Sequence, residues 1–232
     1  MQGKPLVLLL SVLYGSAFIA GFNENLVNMA LVSIMAEYGV DSVTAQWLVT
    51  GYMIVATVVV TCMAFLYRRF HVRTLFFGAA GLSIVGSAMG LVAPSFELLL
   101  VARLVQAVGT GLFFPSVTSV IMANSPAEVR GTRLALNSGV IAVGLAVSPT
   151  VSGFALTQFG WRSMFVVSLA MSAALLAAGF FRIHGGPSSV RIPIDALSVA
   201  LGPLGLAAVT VILPLELLNL ALGGALGMGT AA

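Results

Sequence analysis

The sequence predicts an all-helical membrane protein with about seven transmembrane segments. Hydrophobic residues make up 59% of the 232 residues, whereas charged residues make up only 7%. The mean hydropathy of the chain is +1.11. A soluble domain of this size carries far more charge on its surface. Because a charged side chain is costly at the centre of a bilayer, we expect the few ionisable groups in loops or at functional positions.

Seven apolar runs are each long enough to cross a bilayer, which takes about 20 largely apolar residues in a helix. These runs cover residues 5–35, 47–66, 72–92, 96–123, 133–157, 161–181 and 195–217. The first, fourth and fifth exceed the minimum length, which indicates tilt, a kink or helix that emerges from the bilayer. We therefore divide the chain into a six-helix bundle over 1–182, a cytoplasmic linker over 183–194, and a seventh transmembrane helix with a Gly-rich tail over 195–232.

The basic residues are distributed unevenly between the short loops, and this predicts how the chain is oriented. One side of the predicted membrane carries Lys4, Arg68, Arg69, Arg73, Arg130, Arg133, Arg182 and Arg191. The opposite side carries Arg162, Glu37, Asp41 and Glu97. Because cytoplasmic loops are enriched in lysine and arginine, we expect a cytoplasmic N-terminus in a multi-pass protein of the plasma membrane.

Several functional classes lack the residues that they need. A single cysteine, Cys62, excludes an internal disulfide framework, and two histidines, His71 and His184, form no metal-ligand pattern. No hydrolytic triad or phosphate-binding Gly-rich loop stands out, so the sequence predicts no enzyme. The only lysine is Lys4, which excludes a retinal Schiff base in the seventh segment. We expect no organic cofactor, no metal and no nucleic-acid partner.

The fifth predicted span carries small residues four positions apart, and they match a known motif. The stretch reads Gly144-Leu-Ala-Val-Ser148-Pro149-Thr-Val-Ser152-Gly153. It resembles the antiporter motif G-x-x-x-G-P-x-x-G-G of the major facilitator superfamily, with serine at two glycine positions. The resemblance implies a smooth, kinked helix surface that a neighbouring helix slides past during transport. Ordinary helix packing around a static kink is the alternative.

Further stretches match motifs of the same superfamily in the same order. Residues 98–109, LLLVARLVQAVG in one-letter code, resemble the fourth-helix motif. Residues 23–31, NENLVNMAL, resemble the first-helix motif D-x-T-I-V-N-V-A-L-P of the fourteen-helix drug:proton antiporters. Residues 44–52 add a match in the second helix, and residues 160–162 resemble the usual start of helix six. The chain therefore resembles the N-terminal half of such an antiporter.

Two further departures from the resembled patterns affect charged positions. The aspartate of the first-helix motif is Asn23 here, and an acid follows one position later as Glu24. In the loop after the second span, the pattern G-x-L-a-D-r-x-G-r-k aligns with residues 64–73. Arg68 replaces the aspartate there, while Arg69 and Arg73 keep the loop basic. Attraction to anionic headgroups is retained, but the acid of the charge relay that the resemblance implies is missing.

Glu24 and Arg103 are the two ionisable side chains most clearly inside spans, and intramembrane charges usually pair, so we hypothesise that they form a proton and substrate coupling pair. At about 1.5 Å per residue, straight helices place them at similar depth. We expect Glu24 to exchange a proton, Arg103 to stabilise its ionised state or compete for it, and four polar residues to line a substrate cavity. These residues are Asn23, Asn25, Asn28 and Gln106. The alternatives are a Glu24 carboxylate at the outer headgroups and an Arg103 that braces backbone carbonyls. For Asn25 and Asn28, the alternative is hydrogen bonding to neighbouring helices instead of to substrate.

The resemblance also implies a function, namely efflux of amphipathic or cationic organic compounds with protons as the coupling ion. In the resembled superfamily, substrate crosses between two six-helix halves, and the sequence holds one half plus one helix. We therefore expect a half-size transporter that needs a homodimer or a complementary second half in the lipid bilayer. The alternative is a non-transporting truncated half or a membrane subunit that depends on a partner.

Overall fold

The computed structural model describes residues 4–182, which form helices joined by short connections. The first span contains α1 (Lys4–Asn25), a 3-10 turn (Asn28–Ala30) and α2 (Leu31–Tyr38). The other helices are α3 (Ser42–Arg69), α4 (Val72–Leu91), α5 (Phe96–Asn124), α6 (Ala127–Phe159) and α7 (Arg162–Arg182). Six segments in this part are long and apolar enough to cross a membrane, which confirms the first six predicted spans. The predicted linker, seventh span and Gly-rich tail lie outside the described residues.

Local capping moves the start of α3 away from the start of the apolar run. The sequence predicts a second span from residue 47, whereas α3 begins at Ser42 because the Asp41 side chain caps its end. The Asp41 carboxylate accepts the backbone N–H of Thr44 at 3.2 Å. Hydrogen bonds from the side chain and backbone of Thr44 lower the pKa of the Asp41 carboxyl. The helix therefore extends beyond its apolar run toward a charged cap.

The first span is interrupted where the sequence predicts one continuous segment over 5–35. The helix α1 ends at Asn25, and the 3-10 turn separates it from α2. The sequence predicts tilt, a kink or an emerging helix as the reason for the excess length of this span. The structure shows a break in the helix, which corresponds to the kink. As a result, Glu24 and Asn25 lie in the last turn of α1, next to irregular backbone.

The helix α5 is central, because it packs against α4, α3 and α1. In addition, α1 packs along α6, and α4 packs along α7. Glycines permit the contact between α4 and α5. A Cβ atom on Gly86 would lie 2.7 Å from the Gln106 backbone nitrogen, and one on Gly109 would lie 2.7 Å from the Ala79 carbonyl oxygen. Since side chains do not tolerate such distances, the two helices cross backbone to backbone.

Two apolar clusters fill the bundle. One contains Phe76 and Phe113, and the other contains Phe22 and Phe165. Along α4, α5 and α7, buried polar side chains fall between the residues of one cluster and those of the other. These side chains are Ser83, Ser87, Arg103, Gln106, Thr110, Ser168 and Ser172. Polar groups at membrane depth need partners and often mark function, so this polar layer is the first candidate for a site.

Candidate functional site

Arg103 lies at the centre of the polar layer and is fully buried. Its two terminal nitrogens each lie 3.3 Å from the backbone carbonyl oxygen of Asn23. One of them also donates to Gln106 Oε1 at 2.5 Å. The guanidinium carbon lies 4.1 Å from the centre of the Tyr52 ring. A buried cation is thus held by neutral acceptors and an aromatic face.

A chain of hydrogen bonds extends from Arg103 through four helices. Gln106 Nε2 donates to Ser87 Oγ on α4 at 3.0 Å and to Ser168 Oγ on α7 at 2.8 Å. The Ser168 hydroxyl donates to Asn23 Oδ1 on α1 at 2.7 Å. These bonds fix the positions of Asn23 and Gln106, and therefore of the two acceptors that hold Arg103.

Tyr52 attaches α3 to the same layer. Its hydroxyl donates to Thr110 Oγ1 at 2.7 Å, and Thr110 in turn donates to the Gln106 carbonyl oxygen at 3.1 Å. Sequence patterns alone did not single out Tyr52, Thr110, Ser87 or Ser168 as site residues. Their only signal is that they are polar groups within apolar spans, and serine and threonine share that signal with many packing residues.

Glu24 lies beside this network and is half-buried. Among the side chains that the structure describes, Arg103 forms no ion pair with Glu24, and an ion pair joins Arg162 to Glu37 instead. Arg103 instead contacts the carbonyl group of the residue immediately before Glu24. The structure therefore brings the two predicted coupling residues to the same end of α1 without a direct bond between their side chains.

Asn25 and Asn28 bridge the break in the first span. Asn28 Nδ2 donates to Asn25 Oδ1 at 3.0 Å. Asn28 is exposed and Asn25 is partly buried, unlike Asn23 and Gln106, which are fully buried. The four residues predicted to line a cavity thus divide into two that belong to the buried network and two that lie at its edge.

The end of α1 also contacts the predicted antiporter-like helix. A Cβ atom on Gly144 would lie 2.5 Å from the Phe18 carbonyl oxygen, so α1 and α6 touch through their backbones. One turn further, the Ser148 hydroxyl donates to the Phe22 carbonyl oxygen at 2.7 Å. A serine at a glycine position of the resembled motif therefore adds a bond between two helices.

The remaining motif residues of α6 have different surroundings. Ser152 is buried, but its hydroxyl has no partner among the described residues. Pro149 is partly exposed, and it removes one backbone hydrogen bond within α6. A Cβ atom on Gly153 would meet nothing within 4 Å. The motif thus presents Gly144, Ser148 and Ser152 to the bundle interior, while Pro149 and Gly153 lie toward the outside.

Charged residues at the two ends of the bundle are well separated from the polar layer. Arg68 and Arg69 are the last residues of α3. Arg73 is exposed in the first turn of α4, with its guanidinium carbon 5.6 Å from the centre of the Phe77 ring. These positions suit contact with lipid headgroups.

At the opposite end, three residues form what we term the Glu37–Arg162 clasp. Arg162 Nη1 lies 2.6 Å from one carboxylate oxygen of Glu37, and Trp161 Nε1 donates to the other at 2.5 Å. Arg162 Nη2 also donates to the Ala93 carbonyl oxygen at 3.2 Å. The clasp ties α2 and the α4–α5 connection to the start of α7, a contact that the sequence did not reveal.

Within residues 4–182, six membrane-length helices pack around a buried polar layer, and this arrangement defines a multi-pass membrane protein of the transporter class. The family model of the Major Facilitator Superfamily matches residues 13–232. The chain belongs to this superfamily. Its curated relatives are named as transporters or resistance proteins and not as enzymes.

Two relatives illustrate the match. The chain is 36% identical over 200 residues to the MFS-type transporter YhcA of Bacillus subtilis, covering 86% of this chain and 38% of that protein. It is 34% identical over 208 residues to the lincomycin resistance protein LmrB of Bacillus subtilis, covering 90% of this chain and 43% of that protein. The chain therefore spans about two fifths of the length of the relatives it matches.

A solved structure agrees on the fold. The proton:xylose symporter XylE matches with a TM-score of 0.67 and 18% sequence identity, covering 79% of this chain and 45% of that one. At this identity the likeness concerns the fold alone. The match to less than half of a transporter agrees with the predicted resemblance to one half of a major facilitator.

Proposed function

We propose that the chain serves in proton-coupled efflux of amphipathic or cationic organic compounds across the cell membrane, with its N-terminus in the cytoplasm. The observation that carries this proposal is a half-buried carboxylate, Glu24, one residue from the carbonyl group that holds the fully buried Arg103. The names of relatives support efflux as the direction, since they include lincomycin resistance and multidrug resistance proteins.

The proposed coupling is a competition for Arg103. When Glu24 is protonated and neutral, the guanidinium remains on the Asn23 carbonyl oxygen. When Glu24 loses its proton, its carboxylate attracts either Arg103 or a cationic substrate, because an ionised carboxylate is a stronger acceptor than a carbonyl. Proton binding and substrate binding then depend on each other, as exchange of one for the other requires.

A complete pathway requires a second six-helix half, which we propose is supplied by a second copy or by a complementary chain. The support is that the chain aligns with 38% and 43% of the length of two relatives, a share that corresponds to one half of the two-half arrangement. The same observation favours the alternative function, a non-transporting half or a subunit that depends on a partner. Proton-linked flux by the purified chain would support the second-copy form of the proposal, whereas its absence would support a complementary chain or the non-transporting alternative.

The test is proton-driven flux of tetraphenylphosphonium into proteoliposomes that contain only this chain, with the oligomeric mass measured in the same detergent. We expect a dimeric mass and flux in the wild type. Glu24→Gln should reduce flux to the level of empty liposomes, because the amide cannot exchange a proton. The matched control is Glu128→Gln, which alters an exposed carboxylate at the start of α6 and should retain flux.

Two results would contradict the proposal. Full flux in Glu24→Gln would remove Glu24 from the coupling mechanism. A folded wild-type monomer without flux would refute self-assembly and support the partner-dependent alternative.

A further inference from the structure

The last turn of α1 presents two consecutive carbonyl groups to side chains from other helices. The Phe22 carbonyl oxygen accepts the Ser148 hydroxyl of α6 at 2.7 Å. The Asn23 carbonyl oxygen accepts both terminal nitrogens of Arg103 of α5 at 3.3 Å. Carbonyls at a helix end lack partners within the helix, and leaving them unpaired inside a membrane is costly. The carbonyl groups at the break in the first span are therefore bonded by side chains from two helices, α5 and α6.

Close backbone packing allows Ser148 to reach this position. A Cβ atom on Gly21 would lie 2.5 Å from the Ile141 carbonyl oxygen, and one on Gly144 would lie 2.5 Å from the Phe18 carbonyl oxygen. Ser148 follows Gly144 by one turn, just as Phe22 follows Phe18 by one turn. The short serine side chain consequently meets the carbonyl of Phe22 directly.

We infer that Ser148 is a positioning residue for Glu24, an inference that rests on the proposed role of Glu24 in coupling. Ser148 fixes the carbonyl end of α1 through Phe22, and Glu24 follows two residues later. If Arg103 leaves the Asn23 carbonyl for an ionised Glu24, the bond from Ser148 still holds the helix end. Ser148 thereby keeps the break, and the carboxylate that it carries, in place while the partner of Arg103 changes.

The side chains that lie around the end of α1 near Glu24 come from several helices. Arg103 from α5 is the charged group, and Tyr52 from α3 lies against it with a 4.1 Å distance from the guanidinium carbon to the ring centre. In the described bundle, α6 contributes the hydroxyl of Ser148, and α7 contributes that of Ser168. A change at Ser148 thus alters the geometry of Glu24 without removing an ionisable group.

The test compares Ser148→Ala with Ser152→Ala in proteoliposomes. Both serines are buried in α6 and lie one turn apart, but the Ser152 hydroxyl has no partner in the described part of the chain. Two quantities are measured, namely hydrogen–deuterium exchange of the backbone amides over 24–31 and the pH midpoint of tetraphenylphosphonium binding. Ser148→Cys, with a weak S–H donor of similar size, provides a graded variant.

We expect Ser148→Ala to accelerate amide exchange over 24–31 by about fivefold, the change that loss of one ordinary hydrogen bond predicts. The pH midpoint of binding should shift in the same variant, because Glu24 is no longer held in one position. Ser148→Cys should give intermediate values, and Ser152→Ala should match the wild type.

Unchanged exchange and an unchanged pH midpoint in Ser148→Ala would overturn the inference, and so would equal effects in both alanine variants. Faster exchange without a shifted midpoint would assign Ser148 a purely structural role and would also refute the inference. Failure of the proposed function is recognised separately, because wild-type binding would then show no dependence on pH at all.

Discussion

Arg103 is unusual among the described residues because it is a fully buried cation whose bonded partners are all neutral. A guanidinium in a membrane interior normally pairs with an acid or lines a wet cavity. Here the guanidinium is held by three neutral groups, namely the Asn23 carbonyl, the Gln106 amide and the Tyr52 ring. Tyr52 is therefore the residue at which the stability of this arrangement is most directly tested.

Replacing Tyr52 separates the contribution of its ring from that of its hydroxyl. Tyr52→Phe keeps the ring beneath Arg103 and loses only the bond to Thr110, so we expect a stability loss of about 1 kcal/mol. Tyr52→Leu also loses the cation–π contact, for a total of roughly 3 kcal/mol. Unfolding by sodium dodecyl sulfate in mixed micelles measures both values, and equal losses would show that the ring does not stabilise Arg103.

The residues of the polar layer were predictable only in part. Arg103, Gln106 and Asn23 stand out because large polar groups inside apolar spans must find partners. Ser87 and Ser168 do not stand out, because a serine hydroxyl often bonds to its own helix, as Ser116 does with the Leu112 carbonyl at 2.6 Å. Which serines face a neighbouring helix depends on packing that a single sequence does not contain.

At the level of helices, the contact between α1 and α6 sets the geometry of the candidate site. This contact requires glycine at positions where the two backbones touch. The resembled motif contains one glycine at such a position and another that has no neighbour. Gly144 lies against the Phe18 carbonyl, while Gly153 faces open space. Close helix packing therefore requires glycine at the start of the motif but not at its end.

Alanine substitutions at these two glycines should have unequal effects. In Gly144→Ala the new methyl group would lie 2.5 Å from the Phe18 carbonyl oxygen, so the helices must separate. We expect a loss of about 1–3 kcal/mol and a lower melting temperature in detergent. Gly153→Ala adds a methyl group to empty space and should leave the melting temperature unchanged or slightly higher. Similar melting temperatures for both variants would contradict the contact.

The helices themselves were predictable because a membrane span requires a long apolar run, and six such runs became helices. Their ends were less predictable, as the start of α3 at Ser42 depends on the Asp41 cap rather than on hydropathy. The break after Asn25 was visible only as excess length, because its position depends on bonds from Ser148 and Arg103 to the end of α1.

Considered as a whole, the described bundle buries its helices to very different extents. In the most apolar stretch of α6, 22% of the residues are buried, and in that of α3 the share is 28%, against 56% in α5. The two least buried helices are those with most surface left for lipid or for another protein. If a second copy completes the transporter, we expect it to contact α6.

Cysteine cross-linking in membranes tests this arrangement. In a Cys62→Ala background, Val143→Cys places a thiol on α6 where the native side chain is 54% exposed. Phe180→Cys places one on α7 where the native side chain is 64% exposed. We expect mild oxidation to produce disulfide-linked dimers with Val143→Cys and few with Phe180→Cys. Monomers only, or equal dimer yields, would exclude a specific α6 contact between copies.

The Glu37–Arg162 clasp has a further consequence, because it includes one of the two tryptophans in the chain. Trp161 is 5% exposed and donates its indole N–H to a carboxylate, whereas Trp47 is 52% exposed on α3. The two indoles therefore fluoresce from different surroundings, one exposed and one buried, and a soluble or lipid-borne quencher has direct access to Trp47 but not to Trp161. The protein thus contains two built-in optical reporters, one for the surface of α3 and one for the junction between α2 and α7.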